Sequence, residues 1–140
     1  MKFKAKVDID VKNFGIAYEL IDKETANRIR DIGDSLALTS SGAAPHDEGI
    51  LEKSYKVELT KRSATVSFSA FNNGCDYAVK MHDGVYNLGP GSRAKPGGIG
   101  MSGKHYSVGP KYLSRPLEGE AETYAKYVND GIGNILDSFE

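Results

Sequence analysis

Between about Asp10 and Ser40 the apolar positions fall at Phe14, Ala17, Tyr18, Ile21, Ile29, Ile32 and Leu36, three or four apart except where Thr25 fills one gap. A stripe of that period occupies one face of an α-helix, so the segment predicts a long amphipathic helix. Its other face carries Lys23, Glu24, Asn27, Arg30, Asp31 and Asp34, a solvated or partner-facing surface. Gly42 and Pro45 interrupt the pattern. Asp47 then suits the N-cap of a single turn through Ile50 and Leu51, because its carboxylate accepts the free N–H groups two or three residues on. Beyond it the period changes to two. Tyr55, Val57 and Leu59 alternate with Lys56, Glu58 and Thr60, and Ala64, Val66, Phe68 and Ala70 alternate with Thr65, Ser67 and Ser69. With Lys61, Arg62 and Ser63 between them, the two runs predict an antiparallel hairpin whose apolar face packs on helices.

Asn72, Asn73 and Gly74 mark a turn. Tyr77, Ala78 and Met81 follow at helical spacing, in a segment too short to decide between helix and strand. Residues 84–103 hold glycines at 89, 91, 97, 98, 100 and 103 and prolines at 90 and 96. A loop of this length in a compact domain is functional or mobile, and this one is expected to order only against a neighbour. Lys104–Val108 can form a third strand, ended by Gly109 and Pro110. After Pro116, Leu117, Ala121, Tyr124, Val128, Ile132, Ile135, Leu136 and Phe139 predict a second amphipathic helix, weakened by Gly131 and Gly133. At the N-terminus Lys2, Lys4 and Lys6 alternate with apolar residues in an arm over residues 1–9. The element order predicts an α+β fold: a small antiparallel β-sheet packed against long N-terminal and C-terminal α-helices.

Composition narrows this to a single domain, since 140 residues at 39% hydrophobic suffice for one core and no more. Eighteen basic residues against 19 acidic ones give no overall field to draw the chain to nucleic acid or an anionic membrane. Cys75, the only cysteine, excludes an internal disulfide and a cysteine-based zinc site and suits a reducing cytoplasm. No run approaches the ~20 apolar residues of a membrane span, and the lysine-bearing N-terminus has no apolar core of an export signal.

The sharpest chemical motif is "KPGGIGMSGKH", Lys95–His105. Gly98, Gly100 and Gly103 spell G-x-G-x-x-G, and Gly98–Lys104 spells a P-loop whose last position, a magnesium-binding Ser or Thr, is His105 instead. A phosphate cradle must leave a strand and open a helix. Here RAKPG precedes and HYSVGP follows, and the nearby acids Glu118 and Glu120 belong to the last helix, so the glycines point to a loop rather than a phosphate site. His46-Asp47, His82-Asp83 and His105 lack metal-ligand spacing, and adjacent residues cannot readily chelate one ion together, so capping and surface roles fit them. Asp76 beside Cys75 disfavours a thiolate. No serine stands in G-x-S-x-G. These readings give no catalytic, cofactor-binding or metal site, and the chain is expected to be no enzyme and to need no cofactor. Arg93, Lys95 and Lys104, with Tyr106, form a thin phosphate-and-stacking signature, the basis of an alternative reading as a nucleic-acid-contacting module.

Three stretches carry a family resemblance. "PHDEGILEKS", Pro45–Ser54, resembles P-x-D-x-G-x-L-x-x-S; "YAVKMHDG", Tyr77–Gly84, resembles Y-A-x-x-x-[E/H]-x-G; and "GPKYLSRPL", Gly109–Leu117, resembles G-x-x-[F/Y]-L-x-R-P-[A/L]. In order and with long helices at both ends, they resemble the tail-component and minor-capsid family of tailed bacteriophages, which includes neck and tail-completion proteins. The matching positions are Pro45, Asp47, Gly49, Leu51, Ser54, Tyr77, Ala78, Gly84, Gly109, Pro110, Leu113, Arg115 and Pro116. The resemblance spans essentially the whole chain and departs from the family in the longer glycine loop and the lysine-rich arm. It implies a structural virion protein at the head–tail junction, made in the bacterial cytoplasm and assembled as a ring, sixfold to match the tail. Its partners would be copies of itself and other neck and tail proteins, such as a head-closure or connector protein and a tail terminator. Lys2, Lys4, Lys6, Arg93, Lys95 and Lys104 would contact partners or, transiently, DNA in the channel, with no membrane involved.

Overall fold

The computed structural model describes residues 11–46, 49–72 and 74–139. The arm with Lys2, Lys4 and Lys6, the cap Asp47, the turn residue Asn73 and the side chain of Phe14 lie outside the described residues. The elements are α1 (Val11–Ala43), β1 (Tyr55–Leu59), β2 (Ala64–Phe68), β3 (Phe71–Asn72), β4 (Cys75–Asp76), α2 (Tyr77–Asp83), α3 (Pro90–Ala94), β5 (Gly98–Ile99), β6 (His105–Tyr106) and α4 (Ser114–Asp137). The fold is α+β, with long first and last helices and short antiparallel strands.

The β structure is not one sheet. It consists of three separate two-stranded ladders, β1–β2, β3–β4 and β5–β6. The expected third strand shrinks to His105–Tyr106 and pairs inside the glycine loop with Gly98–Ile99 rather than on the hairpin. Gly103, at φ +89, turns the chain back for that pairing, its N–H donating to the Gly100 carbonyl at 2.9 Å, a conformation that glycine adopts without strain.

Helix α1 lies on the hairpin face defined by the Val57↔Val66 and Leu59↔Ala64 pairs. The approach is closest at Gly33, where a Cβ would stand 2.9 Å from Ala64 Cβ and 3.0 Å from Val57 Cγ1. Helix α4 returns antiparallel along α1. Arg28 Nη1 donates to the Tyr127 carbonyl at 2.8 Å, its guanidinium stands 4.4 Å over the Tyr127 ring, and a Cβ at Gly131 would overlap the Arg28 side chain. Gly131, expected only to weaken the helix, is where Arg28 crosses it. Nothing lies near Gly133 to explain the glycine there.

The ambiguous segment after Gly74 contains both elements. Asp76 ends β4 and caps α2, its Oδ1 accepting from Ala78 N at 3.0 Å and Ala70 N at 3.1 Å. The core gathers Ala43, Ala44, Leu51, Phe68, Ala70, Ala78, Tyr106 and Tyr112. Because Arg28 is level with residues 127–131 while α4 ends at Asp137, α1 runs on past α4 by roughly nine residues, or ~14 Å at ~1.5 Å per residue. Ile16 and Tyr18 are exposed on that overhang, and Leu20 is exposed at its base.

The landmark cluster and the glycine loop as candidate functional site

The three stretches that carry the family resemblance meet around one core. From the first, Pro45 and Leu51 are fully buried, Gly49 turns at φ +79, and Ser54 closes the turn onto the Leu51 carbonyl through its N–H at 3.0 Å and its hydroxyl at 2.7 Å. From the second, Ala78 is buried in that cluster with Tyr77 against it, and the Gly84 N–H ends α2 on the Lys80 carbonyl at 2.9 Å. From the third, Leu113 packs on the same cluster, Pro116 is buried, and the Gly109 N–H donates to the Ala43 carbonyl at 3.1 Å. Arg115 holds the approach to α4 by donating to the Pro110 carbonyl at 2.9 Å and the Ser107 carbonyl at 2.7 Å.

Two polar contacts stitch the second and third stretches together. The Tyr112 hydroxyl donates to the Ala78 carbonyl at 2.7 Å. The start of α4 has no side-chain cap from Leu113; instead His82 Nε2 accepts from the Ser114 N–H at 3.3 Å, with the Ser114 hydroxyl 3.1 Å away. Asp83, beside it, bonds His82 Nδ1 and Lys111 Nζ, each at 2.8 Å. Those two bonds, that from His82 first, and the charge of Lys111 lower its carboxyl to about 2.

The glycine loop has fixed structure within the chain, which corrects the expectation that it orders only against a neighbour. Residues 84–103 contain α3 and β5, and Ser92 is buried against the His46 backbone, donating to its carbonyl at 3.3 Å and accepting from its N–H at 2.8 Å. Each glycine of G-x-G-x-x-G has a geometric reason. A Cβ at Gly98 would overlap the Thr39 carbonyl of α1, one at Gly100 would overlap the Glu120 carboxylate of α4, and Gly103 turns at φ +89.

Glu120 is fully buried. Its carboxylate accepts from Ser102 N at 2.7 Å, Ser102 Oγ at 2.5 Å and Tyr106 Oη at 2.8 Å. Burial pushes this carboxyl up, but the Ser102 hydroxyl and N–H, the Tyr106 hydroxyl and the Lys104 charge outweigh it and leave the group below its ordinary value. Burial, joined by the bond to Glu120 and its charge, raises the Tyr106 hydroxyl to about 12. The motif that resembles a phosphate cradle therefore does hold an anion, and the anion is the chain's own glutamate. Glu120 has no functional motif around it in the sequence. The available signal was its position three residues after Leu117 and four before Tyr124, on the apolar face of α4.

The basic trio does not form one charged surface. Lys95 turns inward: its Nζ donates to the Ser41 and Ala44 carbonyls at 2.9 and 2.6 Å and pairs with Glu52 at 2.8 Å, capping the end of α1. It is thereby removed from the candidate partner or channel contacts. Burial pushes the Glu52 carboxyl up, but its bonds to Lys95 and His46 and their charges bring it below its ordinary value. Arg93 is exposed, with Nε on the Leu88 carbonyl at 2.8 Å, and Lys104 is exposed. Among the described residues no group of three His, Cys, Asp or Glu side chains is placed to hold a metal ion, and no helix is long and apolar enough to cross a membrane. Compared with protein-family models, curated proteins and solved structures, the chain matches none.

Proposed function

We propose that the chain is a structural virion protein of a tailed phage or prophage, a ring subunit at the head–tail junction that helps complete the tail and join it to the head. The observation that supports this reading is the convergence of the three resemblance-bearing stretches on one core. Leu51, Ala78 and Leu113 pack together, and the polar residues among them close turns and cap helices, as the parts of a scaffold would. A ring interface is heterologous, with one face of a subunit complementing a different face of the next. The α1 overhang and its base, with Ile16 43%, Tyr18 56% and Leu20 40% exposed, offer apolar surface for one side of such a contact. Its partners in this reading are further copies in a sixfold ring, together with a head-closure or connector protein and a tail terminator.

The alternative, a nucleic-acid-contacting module, is weakened by the inward course of Lys95, which leaves Arg93 and Lys104 as the exposed cations of the proposed loop surface. The deciding experiment inactivates the gene in a phage or prophage that carries it and images the particles. Filled heads and separate tails, joined on adding back the purified chain, are expected. A Tyr18→Asp chain should fold yet fail to restore joining. Normal joined, infectious particles without the protein would overturn the proposal.

A further inference from the structure

Ser114, His82 and Asp83 lie 32 and one residue apart in sequence, yet form a continuous hydrogen-bonded line. Ser114 Oγ is 3.1 Å from His82 Nε2, and His82 Nδ1 is 2.8 Å from Asp83 Oδ1. An ionised carboxylate only accepts, so the ring proton resides on Nδ1 and the Nε2 lone pair faces Ser114, shared between its hydroxyl and its backbone N–H at 3.3 Å. Lys111 fixes the far end of the line. At φ +57, in the left-handed region, it places Nζ 2.8 Å from Asp83 Oδ1 while its N–H donates to the His82 carbonyl at 2.7 Å. Tyr112 meets the imidazole edge to face, with ring centroids 5.1 Å apart. His82, Asp83 and Ser114 line a cleft of about 260 Å³ whose other walls include Phe68, Val79, Leu113 and Leu117.

We propose that Ser114 is an activated nucleophile, served by His82 and Asp83, that accepts small apolar acyl groups from activated esters. Such a relay is defined by geometry and roles and not by sequence order. The Ser114 oxygen forms a bond to the ester carbonyl carbon while its proton passes to His82 Nε2. The bond from that carbon to the leaving oxygen then breaks, its electron pair departs with the oxygen, and the imidazolium returns the proton to it. Water repeats the sequence on acyl-Ser114, releasing a carboxylic acid and restoring the serine.

The start of α4 limits the scope. The N–H groups of Arg115 and Leu117 are already bonded to the Lys111 and Leu113 carbonyls, and Pro116 has none, so these positions supply no oxyanion hole. The site therefore suits esters with good leaving groups and not amides. This activity goes beyond the scaffold role and does not depend on it.

The test treats the full chain with 4-nitrophenyl acetate and, separately, with an alkyl fluorophosphonate at about pH 8. The modified residues are mapped by peptide mass spectrometry, and circular dichroism verifies the fold of each variant. One adduct is expected, on Ser114, forming at least about tenfold faster than on any other serine. Ser114→Ala should abolish it, and His82→Gln and Asp83→Asn should each slow it about tenfold or more. Because His82 also caps α4, Asp83→Asn decides the matter if His82→Gln unfolds. Labelling of Ser114 at the rate of other exposed serines, or at an unchanged rate in folded Asp83→Asn, would overturn the proposal.

Discussion

Replacing Gly100 by alanine isolates the reason for the middle glycine of the motif. Gly100 has no left-handed backbone, so alanine is not excluded by conformation. The obstacle is contact: a Cβ there would lie 2.7 Å from Glu120 Oε2 and closer still to the rest of the carboxylate. Glu120 must then move by about an ångström, which breaks or stretches the bonds this buried carboxylate accepts from Ser102 N, Ser102 Oγ and Tyr106 Oη. Hydrogen bonds to a charged group contribute about 1.5–3 kcal/mol each and do not add fully, so a loss of about 4 kcal/mol is expected. Against a total stability of about 5–15 kcal/mol the variant should still fold. At about 4 °C per kcal/mol for a chain of this size, its Tm should fall by about 15 °C. The sharper measurement is a double-mutant cycle by urea unfolding. Glu120→Ala alone orphans the same three donors and should cost a similar amount, but it also vacates the space the new methyl needs. Gly100→Ala should then cost less than about 0.5 kcal/mol in the Glu120→Ala background, a coupling of about 4 kcal/mol. Additive losses from the two substitutions would refute the steric account of the motif.

Two further outcomes follow from buried charges. Because the folded-state Glu120 carboxyl lies below its ordinary 4.5, the stability it contributes is complete above that pH and is lost as pH falls through the lower folded value. Glu120→Gln should therefore cost about 1–2 kcal/mol at neutral pH and progressively less below about pH 4, as read by urea unfolding across pH; a pH-independent difference would contradict it. Lys95→Met should cost about 2 kcal/mol by leaving the Ser41 and Ala44 carbonyls without their cap. Since the Lys95 side chain is only 13% exposed, that cost should change little with added salt, whereas an exposed cation would be screened.

What was legible in the sequence is what depends on periodicity. The α1 stripe, the β1–β2 hairpin and the α4 stripe each repeat their signal several times, and the structure contains all three. What was illegible depends on contacts between distant segments. No local pattern tells whether a two-residue strand joins a sheet or closes on its neighbour, so one expected sheet became three ladders. A glycine chosen for φ reads the same as one chosen because a carboxylate occupies the place of its side chain, so the sequence of residues 84–103 suggests a mobile loop although Gly98 and Gly100 admit α1 and α4. Lysine counts as surface charge until a helix end is found beneath it, as for Lys95. The Ser114–His82 contact joins elements 32 residues apart and has no sequence signature at all.

Each β ladder joins segments that are near neighbours along the chain, and such hairpins close within about 1–10 μs. The α1–α4 contact is different in kind: Arg28 reaches Tyr127 across 99 residues. Its loop-closure entropy must be met before it contributes, so it belongs late in folding, after the hairpin has given α1 a surface to lie on. What docks last is released first. The long helices, which look like the frame of the molecule, act kinetically as its clasp, and α4 with its buried glutamate holds the glycine loop shut only while that clasp is closed.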